Sequence, residues 1–333
     1  MDNFIFCLNA TIPIFALMVL GIFFRKVNIL KEQTIKEING LVFKVSLPAL
    51  LFQDLAGEDF AQAWDGGYVL FCFVVTCISI TIAVLVSLLL KDKSYQGEFI
   101  QSSFRSSAAL LGIGFIQNIY GDSGMAPLMI IGTVPLYNIM AVSLLSFLKP
   151  AREPFDRKQL WKTIKGVLTN PIILGIVVGL AWSLLGIGQP VILSKTVGYL
   201  AATATPMGLI ALGASIEPGK VSAKLPPALL ACFLKLVAFC GIFLPIAMQL
   251  GYRRDRLTAI LVMLGSPTTV SCYIMAKSMG HEGTLSSTTV MITTLCSAFT
   301  LTGWLYVLKV MGMIERGCVN FRAVIRNNGL FEP

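Results

Sequence analysis

Apolar residues in this chain run in long blocks separated by short polar breaks, instead of being scattered along it. Residues 67–90 (GYVLFCFVVTCISITIAVLVSLLL) and 226–250 are each long enough to cross a hydrocarbon layer, which takes about 20 residues of helix. In lipid the backbone has no water to bond, so such blocks are helices. The same pattern predicts ten spans, at about 4–24, 34–55, 67–90, 99–119, 125–148, 164–186, 193–216, 226–250, 257–279 and 286–310. The first block reads as a span and not as a cleaved leader, since the start MDNF offers no basic stretch and further spans follow.

The two halves repeat. Pro13 and Pro171 sit early in spans 1 and 6, and Pro48 and Pro206 sit inside spans 2 and 7; both pairs are 158 positions apart. Gly112-Ile-Gly114 in span 4 matches Gly265-Ser-Pro267 in span 9 at nearly the same offset. The longest linker, Lys149-Pro-Ala-Arg-Glu-Pro-Phe-Asp-Arg-Lys158, falls almost at the midpoint. The expected organisation is a first five-helix repeat over 1–149, a cytoplasmic linker over 150–163, a second repeat over 164–310 and a short basic tail over 311–333 with Arg316, Arg322 and Arg326. An odd number of spans per half makes the second half enter the membrane in the opposite sense. The predicted fold class is therefore an all-α polytopic membrane protein built as a five-plus-five inverted repeat, the architecture of many secondary transporters.

Composition agrees. Hydrophobic residues make up 56% and charged residues 13% of the chain, against about 25% charged in soluble domains. The net charge of +9 does not point to nucleic acid, because the basic residues lie mostly in loops between spans, where membrane topology requires them. The eight cysteines (Cys7, Cys72, Cys77, Cys232, Cys240, Cys272, Cys296 and Cys318) have no CxxC or metal-ligand spacing. No metal or cofactor is expected, and the single His281, in Gly-His-Glu-Gly, reads as a surface-loop residue.

Lysine and arginine bias sets the orientation. With the N-terminus outside a cell membrane, the inner loops of the first half carry Arg25, Lys26, Lys31, Lys36, Lys91 and Lys93, and the linker adds more; loop 2–3, outside, carries Asp54, Glu58, Asp59 and Asp65. Arg253, Arg254, Arg256 and the basic tail fall outside in this arrangement, against the rule.

A transporter with inverted repeats binds its solute where helices are interrupted near mid-membrane. Span 4 reads Phe104-Arg-Ser-Ser-Ala-Ala-Leu-Leu-Gly-Ile-Gly-Phe115, which makes Ser107, Gly112 and Gly114 candidates. Span 9 contains Ser266, Pro267, Thr268, Thr269 and Ser271; Pro267 removes a backbone donor, and four hydroxyls fall within six residues. Small and hydroxylated residues also let helices approach closely in any membrane bundle. Asn138 in span 5 fits interhelical bonding as well as a solute contact. Intramembrane charge is costly and marks function by default. Lys235 lies near the centre of span 8, whereas Lys44 and Arg105 read as snorkelling side chains that reach the headgroups. All three are cationic and none of the acidic residues falls deep in a span, which suits an anionic solute.

Phe104-Arg-Ser-Ser-Ala-Ala-Leu-Leu-Gly-Ile-Gly114 resembles the span 4 pattern of the auxin efflux carrier family, whose bacterial members are often called malate or malonate permeases. Leu47-Pro48, Thr169-Asn-Pro171, Pro206-Met-Gly-Leu-Ile-Ala-Leu-Gly-Ala-Ser215 and the proline of span 9 are similar too, so the resemblance covers essentially the whole chain. It implies ten spans with helices 4 and 9 broken and crossing at the substrate site, outward termini, and a scaffold of spans 1, 2, 6 and 7 that often dimerises while the other spans move elevator-fashion. Two positions depart from the family's common pattern, which has Asn where Ser107 stands and Pro where Gly114 stands.

The expected function is a permease for small organic anions, with uniport, proton symport and sodium symport all open. Its partners are the anion, the lipid bilayer and a second copy of the chain. The alternative is a membrane-embedded sensor that signals through a separate protein. An enzyme would need an Asp, Glu, His or Cys cluster of recognisable spacing, which the sequence lacks.

Overall fold

The computed structural model describes residues 2–56, 65–108, 116, 119–120, 124–149, 157–186, 188–216 and 224–314. Every regular element among them is helical. The first half holds α1 (Asp2–Lys26), α2 (Glu32–Leu41), a π-helical turn over Val42–Ser46, α3 (Leu47–Ala56), α4 (Gly66–Ser87), α5 (Gln96–Phe104) and α6 (Ala126–Phe147). Then come α7 (Arg157–Leu168), α8 (Pro171–Leu184), α9 (Val191–Ala202), α10 (Ala204–Ala214) and α11 (Leu225–Phe233). A second π-helical turn over Leu234–Ala238 leads to α12 (Phe239–Gln249), α13 (Arg254–Gly265), α14 (Ser271–Ser278) and α15 (Thr284–Val310). Five stretches among the described residues are long and apolar enough to cross a membrane: Gly66–Ser87, Ala126–Phe147, Val191–Ala214, Leu225–Gln249 and Thr284–Val310.

Prolines divide the helices where their chemistry demands. The block expected to begin at 164 is split: α7 ends at Leu168, and α8 starts at Pro171 with the Asn170 side chain accepting the Ile172 N–H at 2.9 Å. Asn as the cap and Pro in the first helical position make a strong start signal. Pro48 and Pro206 lie just after the π-helical turn and Thr203, at the starts of α3 and α10, where each removes one backbone donor from a continuing helical run. The two hinges touch through the Ser46 and Thr203 hydroxyls, 2.8 Å apart.

The helices form two groups. In one, α1 packs on α10 and α3 packs on α8 and α9; in the other, α4 packs on α6, and α11 packs on α15. Glycines bring the first group together at backbone distance. A β-carbon at Gly21 would collide with the Ile210 carbonyl, and one at Gly179 would stand 3.1 Å from the Phe52 backbone. Moving Gly21 and Phe52 along the chain by 158 positions gives Gly179 and Ile210, so the two contacts are equivalent.

Polar contacts bind the loops into two faces. On one, Lys224 pairs with Asp92 at 3.5 Å, and Arg25 donates to the Ala214 carbonyl at 3.2 Å. His281 also lies on this face and is buried, not a surface-loop residue: its Nε2 meets the Leu145 carbonyl at 2.8 Å, and packing against Gly97 seals it in. Beside it, Glu98 is 1% exposed, and its two oxygens accept the N–H groups of Gly283 and Ser286 at 2.8 and 2.9 Å. A carboxylate there satisfies the orphan donors and the positive dipole end of α15. On the opposite face, Arg256 pairs with Asp65 at 2.9 Å. Part of the basic cluster at 253–256 is thus held by the acidic residues of loop 2–3.

Two stability predictions follow from these contacts. Gly179→Leu should lower the melting temperature of the purified protein by the equivalent of about 1–3 kcal/mol, as overpacking does. Gly166→Ala, an exposed helix position with nothing within 4 Å, should leave it unchanged or raise it. Glu98→Ala strands two buried N–H groups at about 1–3 kcal/mol each, and Glu98→Gln should fall between that variant and the wild type in the same melting assay.

Candidate functional site

Two helices stop at the same place inside the protein. α13 ends because Pro267 has no N–H to give the Met263 carbonyl, and because the residue before a proline is forced extended; Ser266 has φ −72° and ψ 156°. α5 ends at Phe104, and Arg105 turns extended at φ −71° and ψ 134°. The interruption in span 4 therefore begins ahead of Gly112 and Gly114, which lie outside the described residues.

The two extended stretches meet and answer each other. Ser107 donates its backbone N–H to the Pro267 carbonyl at 2.9 Å. The Ser106 hydroxyl bonds the Met263 carbonyl on α13, and the Thr268 hydroxyl bonds the Ser102 carbonyl on α5 at 2.8 Å. Each break thus supplies a hydroxyl to the helix that the other break has cut short. Gln101 adds a bond to the Cys272 carbonyl at 2.9 Å, and the Thr268 N–H goes to Thr293 Oγ1 at 3.1 Å.

A cavity of about 110 Å³ opens beside this crossing, between the two helix groups. Leu47, Leu50 and Thr205 line it from one group, and Arg105, Ser107, Tyr137, Asn138 and residues 267–271 line it from the other. Asp54 is the only acidic residue on the wall among the described residues.

Arg105 does not snorkel. It is 3% exposed, because α5 already begins at Gln96 and carries it nine residues inward, about 14 Å at helical rise. Its Nη2 donates to Asn138 Oδ1 at 2.7 Å and to Ser271 Oγ at 2.9 Å, and Nη1 points at the Met275 sulfur. The Nε N–H is buried with no acceptor among the described residues. No carboxylate among them comes within ion-pair distance of the guanidinium. Lys44, by contrast, is exposed on the π-helical turn.

Other candidates take places the sequence did not reveal. Asn138 is committed at both ends, since its Nδ2 donates to the Val134 carbonyl at 2.9 Å while its oxygen holds Arg105. The Thr268 proton is spent on Ser102, so it cannot also donate to a solute. Ser266 is buried without a hydroxyl partner among the described residues and does not line the cavity. Ser107 faces the cavity half-buried, with its hydroxyl unclaimed among the described residues. Thr269 and Ser271 share a bond of 3.1 Å on the cavity wall. Lys235 also stands off the cavity: it is 1% exposed behind the crossing, bonded to the Ser106 hydroxyl and within 3.3 and 3.4 Å of the Met263 and Phe104 carbonyls.

The break is extended and lined by hydroxyls, and among the described residues its guanidinium has no carboxylate partner and no nucleophile–base pair is formed. Comparison with known proteins gives the class. A family model described as membrane transport protein matches residues 6–305. A protein of Rhizobium meliloti (strain 1021) named "Putative malonate transporter" is 22% identical over 319 residues, covering 90% of this chain and 94% of that one. An "Uncharacterized transporter" of Methanothermobacter thermautotrophicus (strain Delta H) is 22% identical over 311 residues, covering 90% of this chain and 98% of that one. The chain belongs to the membrane transport protein family, the auxin efflux carrier family that its motifs resemble, and is a multi-pass membrane transporter, not an enzyme.

Proposed function

We propose that this chain is a permease for small organic anions, mono- or dicarboxylates, that works by elevator-like alternating access in a cell membrane. Arg105 carries the proposal. Among the described residues it is a buried cation with no counter-ion, which is costly, and it lines the cavity with an Nε N–H that none of them accepts. A solute carboxylate would complete it, and a guanidinium is the side chain best shaped for that group. Ser107 is suited to donate a further bond. Asn138 and Ser271 are positioning residues that keep the guanidinium aimed into the cavity.

The cavity between two helix groups supports an elevator, in which α4–α6 and α11–α15 move against α1–α3 and α8–α10. The equivalent glycine contacts at Gly21 and Gly179 support the five-plus-five inverted repeat of ten spans, with the first group as the fixed scaffold and dimer surface. The inward bias of lysine and arginine in the first half supports an outer N-terminus, and the Asp65–Arg256 pair supports an outer position for loops 2–3 and 8–9. The relative from Rhizobium meliloti makes malonate the first solute to try.

The test is uptake by proteoliposomes of malonate, malate, succinate, lactate and indole-3-acetate, each with and without proton and sodium gradients, beside choline and a neutral sugar. Saturable uptake of at least one anion is expected. Arg105→Ala, folded by its melting curve, should lose up to about 100-fold in uptake efficiency, the value of a charged hydrogen bond of about 1.5–3 kcal/mol. Arg105→Lys should retain part of it, because charge remains while the fork is lost. Unchanged anion uptake by folded Arg105→Ala, or uptake of choline or the sugar alone, would overturn the proposal.

A further inference from the structure

The ammonium of Lys235 occupies an oxygen cage at the helix crossing. It donates to the Ser106 hydroxyl and to the Phe104 and Met263 carbonyls, the last two at 3.4 and 3.3 Å. None of these oxygens has a proton to give back. Two are carbonyls, and the Ser106 proton is committed to Met263. The cage therefore takes three donors, which a lysine ammonium has and a neutral amine lacks.

Charge counting leads to the same occupant. The Phe104 and Met263 carbonyls end α5 and α13, and each helix C-terminus carries about half a negative charge. Two converging ends make a site of about one negative charge, which a single monovalent cation neutralises. Interrupted membrane helices elsewhere use such freed carbonyls and C-terminal ends to coordinate a coupling ion. Here the cation is tethered to the chain. The π-helical turn at Leu234–Ala238, whose Phe239 N–H reaches back to the Leu234 carbonyl, puts Lys235 on the buried side.

We infer that Lys235 is a built-in cation filling a monovalent-cation site, so that the crossing holds together without a bound metal ion, and that removing the side chain opens the site to one. The inference is independent of which solute is carried, and its test reads stability, not uptake.

Melting curves would be taken in sodium, potassium, ethylammonium and choline chloride at equal ionic strength. The wild type should melt at the same temperature in all four. Lys235→Ala should melt lower in choline and regain at least half of the loss, saturably, in sodium, potassium or ethylammonium. Lys235→Met, whose uncharged chain fills the same space, should melt lower and gain nothing from any of them. Gel filtration of protein solubilised from membranes in each salt extends the comparison to a variant too weak to purify; a monodisperse peak restored only by the small cations counts as rescue. The inference fails if the wild type is saturably stabilised by sodium over choline, or if Lys235→Ala matches the wild type in choline. It fails equally if Lys235→Ala is recovered in none of the salts, or if both variants respond alike.

Discussion

The carbonyl oxygens of Phe104 and Met263 are left without backbone donors where two helices stop, deep in an interior with little water. A backbone acceptor abandoned in such a place costs several kcal/mol, so interrupted helices persist only if other groups satisfy them. Ser106, Thr268, Ser107 and Lys235 do so, and almost every polar feature of the crossing follows from that need. The hydroxyls come from the extended stretches themselves, which makes the two breaks mutually dependent. With α5 and α13 cut short and their ends tied off, residues 105–107 and 267–271 are free to present side chains to the cavity instead of bonding along a helix.

The group that carries the crossing is held at its ends. Glu98 fastens the start of α15 to the start of α5, and His281 fastens the loop ahead of α15 to the end of α6. The other group is tied by glycines, where backbones touch and side-chain shape hardly enters. Between them lie the cavity, apolar walls and one polar cluster, in which the Tyr273 hydroxyl on α14 meets the Asn39 side chain at 3.2 Å, the Ser215 hydroxyl and the Ala211 carbonyl. Polar latches within one body and close backbone packing within the other make each a unit, and the hydrogen bonds of Tyr273 join the two.

Much of this was legible in the sequence, for physical reasons that differ by residue. Pro267 announced the break in span 9 because proline acts on the backbone directly, and Pro48 and Pro206, 158 positions apart, both lie at the start of a helix segment. Six of the candidate residues, Ser107, Asn138, Pro267, Thr268, Thr269 and Ser271, do line the cavity. Arg105 was misplaced because its depth depends on where α5 starts, and Gln96-Gly-Glu98 reads as loop until Glu98 is seen capping another helix. That cap is a contact 185 positions long, which no local pattern contains. Lys235 was correctly marked as buried, but the side of the helix it faces is set by a π-helical turn that composition does not betray. His281 looked exposed for the same reason as Glu98: its partner, Leu145, is remote in the chain.

Arg105 is not idle, since Asn138 and Ser271 already hold two of its N–H groups. On the carboxylate reading proposed above, a solute that bonds the Nη groups would share or displace those bonds, so that part of its gain would be the difference between two similar hydrogen-bonded states. Shallow binding of that kind shortens residence time. In a machine whose output is flux, a ligand that leaves readily is worth more than one that binds tightly, and on that reading a pre-engaged arginine would favour turnover over affinity.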